Sequence, residues 1–228
     1  SNIVLQQLDV QHLSEDEQQQ ALKEEAHAEA QAPFDLSTGP LLRAKLLHLA
    51  EDRHVCLLTM HHIISDAWTL ATFIKEFAEL YEAFAADESV SLPELPIQYV
   101  DYAVWQRDYL QGDVLEEQLG YWRERLAGAD NPLDLPTDHK RPHVQTHNGD
   151  VVYFRVPADV VERIESFCKA HDVTQFMTLL AALDVLLYRY TGHEDIVMGT
   201  PIANRNRSEL EPLLGVFVNT LAMRSDLS

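Results

Sequence analysis

Residues 54–62, His54-Val55-Cys56-Leu57-Leu58-Thr59-Met60-His61-His62, run directly into Ile63-Ile64-Ser65-Asp66-Ala67-Trp68. The first part is almost continuously apolar, the pattern of a strand covered on both faces. A short loop follows. Then Leu70, Phe73, Ile74, Phe77, Leu80, Tyr81 and Phe84 recur at three and four, which is the stripe of an amphipathic helix capped by Thr69. A buried strand passing through a polar loop into a long helix is the repeating step of a layered α/β protein.

The same pattern extends outward. Before it, Ser14 and Glu17 form a capping box for a Glu/Gln/Ala-rich surface helix over 14–31, which Pro33 ends. Gly39-Pro40 marks a turn before an apolar strand over 41–49. After it come a loop at 89–96 and helices at 98–110 and 114–127, with Trp105, Tyr109, Leu119, Tyr121 and Trp122 as bulk. The pattern breaks between Gly128 and Gly149, where Asp, Asn, Pro and His cluster. A strand at 150–156, helices at 158–171 and 175–190, and strands at 195–200 and 216–224 complete the reading, with Thr174 and Gly192 as caps of the second helix. The expectation is two lobes: residues 1–130, a connection at 131–149, and residues 150–228.

Composition narrows the function. The net charge of −20 lacks the basic excess of a nucleic-acid binder, and an anionic membrane would repel it. No apolar run reaches the length of a membrane span, and the first residues do not read as a secretory signal. Cys56 and Cys168 lie in apolar-patterned stretches and read as two buried free thiols, as suits a reducing cytoplasm.

The chemistry concentrates at His61-His62-Ile63-Ile64-Ser65-Asp66-Ala67-Trp68. Histidine transfers protons near neutral pH, and a strand end is a rigid mount for it. Read from the residues alone, each histidine is a catalytic base or a packing residue, and Asp66 is an arginine partner or a helix cap. Neighbouring strand residues point to opposite faces, so His61 and His62 do not share a metal, and no metal site is expected.

This segment is similar to the HHxxxDG signature of the condensation-domain superfamily. Tyr99-Val100-Asp101-Tyr102-Ala103-Val104-Trp105 resembles the YxDYAVW motif, Gly199-Thr200-Pro201-Ile202-Ala203-Asn204-Arg205 the GTPxAxR stretch, and Gly215-Val216-Phe217-Val218-Asn219-Thr220 the GxFVNT motif, in the family's order. The resemblance points to the condensation domain of a nonribosomal peptide synthetase. It implies a two-lobed, chloramphenicol acetyltransferase-like layered α/β fold, here incomplete, because the family's opening motifs and its last motifs have no match. The fragment alone is then expected to be inactive.

The resemblance assigns His62 as the catalytic residue, a base for the acceptor amine or a group that positions it. His61 supports it. Asp66 is structural and pairs with an arginine, Arg205 or alternatively Arg207. Ala67, Trp68 and Asn219 line the substrate tunnel, although Asn219 reads equally as a strand-end hydrogen-bonding residue, and Tyr102 and Trp105 read as core. Ala67 stands where the signature has glycine, which narrows the acceptor path, alters the turn or changes nothing. Trp68 resembles the subtype that takes an L-configured donor. The implied partners are donor and acceptor carrier domains, whose phosphopantetheine arms bring both substrates, and an adenylation domain in the same polypeptide. No cofactor is bound directly. The alternatives are a stand-alone acyltransferase of the superfamily and a non-catalytic carrier-docking module.

Overall fold

The computed structural model describes residues 3–129, 133–146 and 149–228. Two compact units emerge. The first runs to Tyr109 and takes back Ile202–Asn219; the second holds Leu110–Pro201 and Thr220–Ser228.

In the first unit, β1 (Leu5–Asp9), α1 (Glu15–Gln31) and β2 (Leu42–Ala50) make a βαβ step, with β1 parallel to β2. β3 (Arg53–Met60) folds back antiparallel on β2, giving the order β1-β2-β3. The sequence reading has no counterpart of β1, whose Leu-Gln-Gln-Leu-Asp is too polar to signal a strand. Alternation along β2 places Arg43, Lys45, Leu47 and Leu49 on one face. Leu47 and Leu49 are buried there. Arg43 pairs with Glu29, and Lys45 with Glu25 and Glu29, both acids of α1. One edge of α1 therefore meets the sheet through ion pairs; Gln18 is buried, and most of the other residues of the helix face water as expected. The Glu17 carboxylate accepts from the Ser14 backbone N–H and from its hydroxyl.

Gln18 joins these elements. Its amide nitrogen donates to the carbonyls of Val10 at 3.1 Å and Leu49 at 3.0 Å, and its oxygen accepts from Arg53 at 3.1 Å, all from a buried position.

Helix α2 (Ala67–Ala85) begins three residues earlier than its apolar stripe suggests. Its N-cap is Asp66, which leaves Thr69 for another task. The expected stripe is present, but Ile74, Phe77, Tyr81 and Phe84 are 51% to 75% exposed. Helix α3 (Tyr99–Tyr109) lies against the returning segment, where Tyr102, Leu210, Leu213 and Phe217 form the core, with Ile97 packed beside them.

The second unit contains α4 (Gly112–Arg125), α5 (Ala158–His171) and α6 (Gln175–Thr191), with β4 (Asp195–Ile202) and β5 (Asn219–Asp226) forming a two-stranded sheet. Thr174 caps α6 by accepting from the Met177 N–H, and Gly192 ends it at φ 73°. Arg224 on β5 holds both Asp195 carboxylate oxygens at 2.7 Å and donates to the carbonyls of Arg125 and Ala127.

Three expectations fail. Residues 150–156 form no strand; Val152, Tyr153 and Phe154 are 85% to 90% exposed. A strand exists only with a ladder partner, and among the described residues this segment has none. The last strand begins at Asn219 and not Val216, because the N–H of Phe217 is held by a side chain. Cys56 is exposed and Cys168 buried, so the thiols are not both interior. Within 128–149, residues 130–132 and 147–148 lie outside the described residues, and the others form neither helix nor strand.

Replacing Gln18 by leucine keeps the bulk but takes the Gln18 donor from the buried Leu49 carbonyl and leaves the Val10 carbonyl with the Leu13 N–H alone, so urea unfolding of the complete domain should show a loss of about 1–3 kcal/mol. Glu24→Gln, on the open side of α1, should change stability by less than about 0.5 kcal/mol.

Candidate functional site

The path from β3 into α2 is a tight turn. The N–H of His61 donates to the Leu41 carbonyl at 3.0 Å, and Ile64 donates back to the His61 carbonyl at 3.0 Å. The ring takes part as well, since His61 Nδ1 accepts from the Ile63 N–H at 3.0 Å and the imidazole stands edge-on to Phe34. His61 therefore builds the turn. Both histidines lie beyond the end of β3, which closes at Met60. His62 is exposed, and its ring has no hydrogen-bond partner among the described residues.

Asp66 is buried at the end of this turn and is fully used. Oδ1 accepts from the Thr69 N–H at 2.7 Å, the N-cap bond of α2, and Oδ2 accepts from the Phe217 N–H at 3.0 Å. Arg205 is the facing cation, its Nη2 3.4 Å from Oδ1, with side chains 1% and 4% exposed. Both readings of Asp66, helix cap and arginine partner, thus hold at once, and Arg205 rather than Arg207 is the partner. Arg207 instead lies over the Trp105 ring.

The guanidinium is anchored mostly by neutral groups. It donates to the carbonyls of Leu210 and of Leu213, the latter at 2.8 Å, and to the Thr69 hydroxyl at 3.1 Å, and it lies 4.0 Å over the Phe217 ring. Burial alone lowers the Arg205 pKa, which the Asp66 charge opposes; a guanidinium keeps its proton regardless. Burial also pushes the Asp66 carboxyl upward, but the N–H donors of Phe217 and Thr69, with the Arg205 charge, outweigh it and hold the group below the usual range.

Ala67 and Trp68 adjoin this pair. Ala67 is the first helical residue of α2 and exposed, and its backbone is not among those with positive φ. Glycine's conformational freedom is not required here, so alanine leaves the turn unaltered. The Trp68 indole N–H donates to the Glu211 carbonyl at 2.9 Å, with the side chain partly exposed. Asn219 opens β5. Tyr102 is in the core, as expected, whereas Trp105 is 43% exposed. Among the described residues no group of three or more His, Cys, Asp and Glu could hold a metal ion.

One contact joins two of the motifs. The Tyr99 ring lies directly against Gly215, its hydroxyl donates to the Val216 carbonyl at 2.9 Å, and its edge meets Phe217. A Cβ at position 215 would overlap the Tyr99 ring. Nothing in the sequence pairs residues so far apart; only the shared presence of both motifs signals it.

A sequence profile of the Condensation domain family matches residues 1–228. A linear gramicidin synthase protein of Brevibacillus parabrevis is 48% identical over 224 residues, 98% of this chain and 3% of that protein. Phosphinothricin tripeptide synthetase PhsB of Streptomyces viridochromogenes is 42% identical over 228 residues, the whole chain and 19% of that protein. Among solved structures, the teicoplanin-biosynthesis X-domain in complex with OxyB superposes with TM-score 0.87 at 28% identity, over all of this chain and 50% of that one. The first condensation domain of the calcium-dependent antibiotic synthetase shares the fold, with TM-score 0.74 at 20% identity over 52% of its length. The chain belongs to the condensation domain family and has its chloramphenicol acetyltransferase-like α/β fold. Its sequence relatives are peptide synthetases, of which it spans a small fraction, and it spans about half of the solved domains.

Gly215→Ala should destabilise the domain by about 1–3 kcal/mol through overpacking. Tyr99→Leu in the same chain should recover part of that loss, a non-additivity visible in a denaturation double-mutant cycle. The depressed Asp66 pKa makes its contribution complete above the unfolded value of about 3.9 and progressively lost as pH falls through the lower folded value. The unfolding midpoint of Asp66→Asn should therefore fall less steeply than that of wild type below about pH 4.

Proposed function

We propose that this chain is part of a condensation domain that forms amide bonds in nonribosomal peptide synthesis, transferring a carrier-bound aminoacyl or peptidyl donor to the amine of a carrier-bound acceptor. The observation that carries this reading is the division of labour in the His61–Asp66 turn. His61 and Asp66 are committed to structure, and His62 alone presents an unengaged imidazole on a turn fixed at both ends. Its role is that of base or positioning group for the acceptor amine, which attacks the donor thioester only when neutral. Holding the two substrates together supplies up to roughly 7–11 kcal/mol of the barrier reduction, so positioning carries much of the rate.

The rest of the reading follows the same assignment. Asp66 and Arg205 maintain the turn; Ala67, Trp68 and Asn219 border the substrate path; and Trp68 marks the subtype taking an L-configured donor. The substrates arrive on phosphopantetheine arms of donor and acceptor carrier domains, within a cytoplasmic polypeptide that also holds an adenylation domain. The proposed lobes are residues 1–130, most of an N-terminal lobe, and 150–228, the start of a C-terminal lobe, with 131–149 between them; the compact units differ from this in grouping residues 110–129 with the second and Ile202–Asn219 with the first. The solved relatives are about twice as long, which supports covering of the open apolar face of α2 by further segments of the same domain. Among the described residues no single helix is long and apolar enough to cross a membrane.

A second reading, a non-catalytic docking module, has one observation in its favour: the X-domain of the same fold was solved in complex with OxyB. The helical backbone at Ala67 removes one motive for it, since that position is unstrained. A stand-alone acyltransferase has less support, because the sequence relatives are long peptide synthetases.

The test is a single-turnover assay of the complete domain in its module, with both carriers loaded and the acceptor arm read by mass spectrometry. Wild type should yield elongated product, and His62→Ala should lower the rate by about 10²-fold or more. No product from wild type with both carriers loaded and bound would favour the docking module.

A further inference from the structure

The hydroxyl of Thr69 has more partners than a helix residue needs. It is 2% exposed on the first turn of α2. It donates to the Gly215 carbonyl at 2.7 Å, accepts from the Gly215 N–H at 3.0 Å and accepts from Arg205 Nη2 at 3.1 Å. A hydroxyl has one proton and two lone pairs, so its bonding capacity is filled. Its backbone N–H is taken by Asp66. One side chain thus grips both peptide groups of Gly215 and the arginine that faces Asp66. Two residues further along, the Phe217 N–H is held by Asp66 itself.

We propose that Thr69 is a positioning residue for the condensation site, setting the register of the Gly215–Asn219 segment against the turn that carries His62. The proposal rests on the assignment of His62 and Asn219 to that site. Without the hydroxyl, the Gly215 N–H loses its buried acceptor, while the Gly215 C=O and Arg205 Nη2 lose their shorter bonds and keep only longer contacts, 3.5 Å to each other and 3.4 Å from Nη2 to Asp66. Asp66 and Arg205 then remain as the neighbouring ties, and the segment is free to shift along α2. Serine keeps all three bonds; valine keeps the shape and removes them. The chemistry at His62 is untouched by either change, so an effect on rate reports geometry.

The experiment compares wild type, Thr69→Val and Thr69→Ser as the complete domain in its module. Single-turnover rate per folded molecule is measured well below the unfolding temperature, with acceptor-carrier affinity measured separately. Amide hydrogen exchange is followed at Gly215 and Phe217 and through 61–66. Thr69→Val should lower the rate by about 10²-fold, the penalty of a displacement near 1 Å, with carrier affinity within about twofold of wild type, and exchange should accelerate at Gly215 and in the 61–66 turn. Thr69→Ser should restore both. A Thr69→Val domain that is merely less stable, with unchanged rate per folded molecule and unchanged exchange at 61–66, overturns the proposal. So does failure of serine to rescue. If wild type makes no product, the functional reading fails, and the exchange data still decide whether Thr69 couples Gly215 to the turn.

Discussion

A guanidinium with 1% of its side chain exposed cannot stand alone. The isolated charge would be expelled or would drag water inward, so everything near Arg205 is arranged to satisfy it. Carbonyls of Leu210 and Leu213, the Thr69 hydroxyl, the Phe217 ring and the Asp66 carboxylate converge on one cation. Because these groups come from α2 and from the returning segment 202–219, satisfying the charge also joins the two. Removing one member of such a pair costs about 3–5 kcal/mol, far more than a surface ion pair contributes. Both Nη atoms are engaged and only the buried Nε has no partner among the described residues, so the arrangement contributes specificity of register more than net stability.

The candidate site follows from that constraint. Asp66 lies at the end of the turn that begins with His61, so fixing Asp66 fixes one end of the turn, and the Leu41 carbonyl holds the other through the His61 N–H. His62 sits between two anchored points, and its ring has no hydrogen-bond partner among the described residues. A group that must meet a substrate amine is best left free while its backbone is held, and the turn provides that combination.

The legible part of the sequence was local. Helices α1 to α6 were visible because the apolar period, the Ser14–Glu17 pair, Thr174 and Gly192 each act within a few residues. The role of Asp66 was visible as two alternatives, and the structure shows that one carboxylate performs both. What stayed hidden depended on distant partners. Thr69 reads as a cap from its hydroxyl and its place before the apolar stripe, while its partner Gly215 lies 146 residues away. The strand expected at 150–156 has the right side chains and no ladder partner among the described residues, and β1 has a ladder partner and the wrong side chains. Strand formation is a property of pairs, so single-segment propensity misjudged both. Cys56 is exposed for a related reason: it lies in an apolar run on β3, which among the described residues pairs with β2 alone.

A double-mutant cycle on Asp66→Asn and Arg205→Met in the complete domain, read by denaturant unfolding, tests the central claim that one buried charge unites the site. If the pair acts as a unit, the double variant is little worse than the worse single one, with a coupling energy of about 0.5–3 kcal/mol. Losses that add to within about 0.5 kcal/mol would show that Asp66 and Arg205 act independently, and would contradict the account.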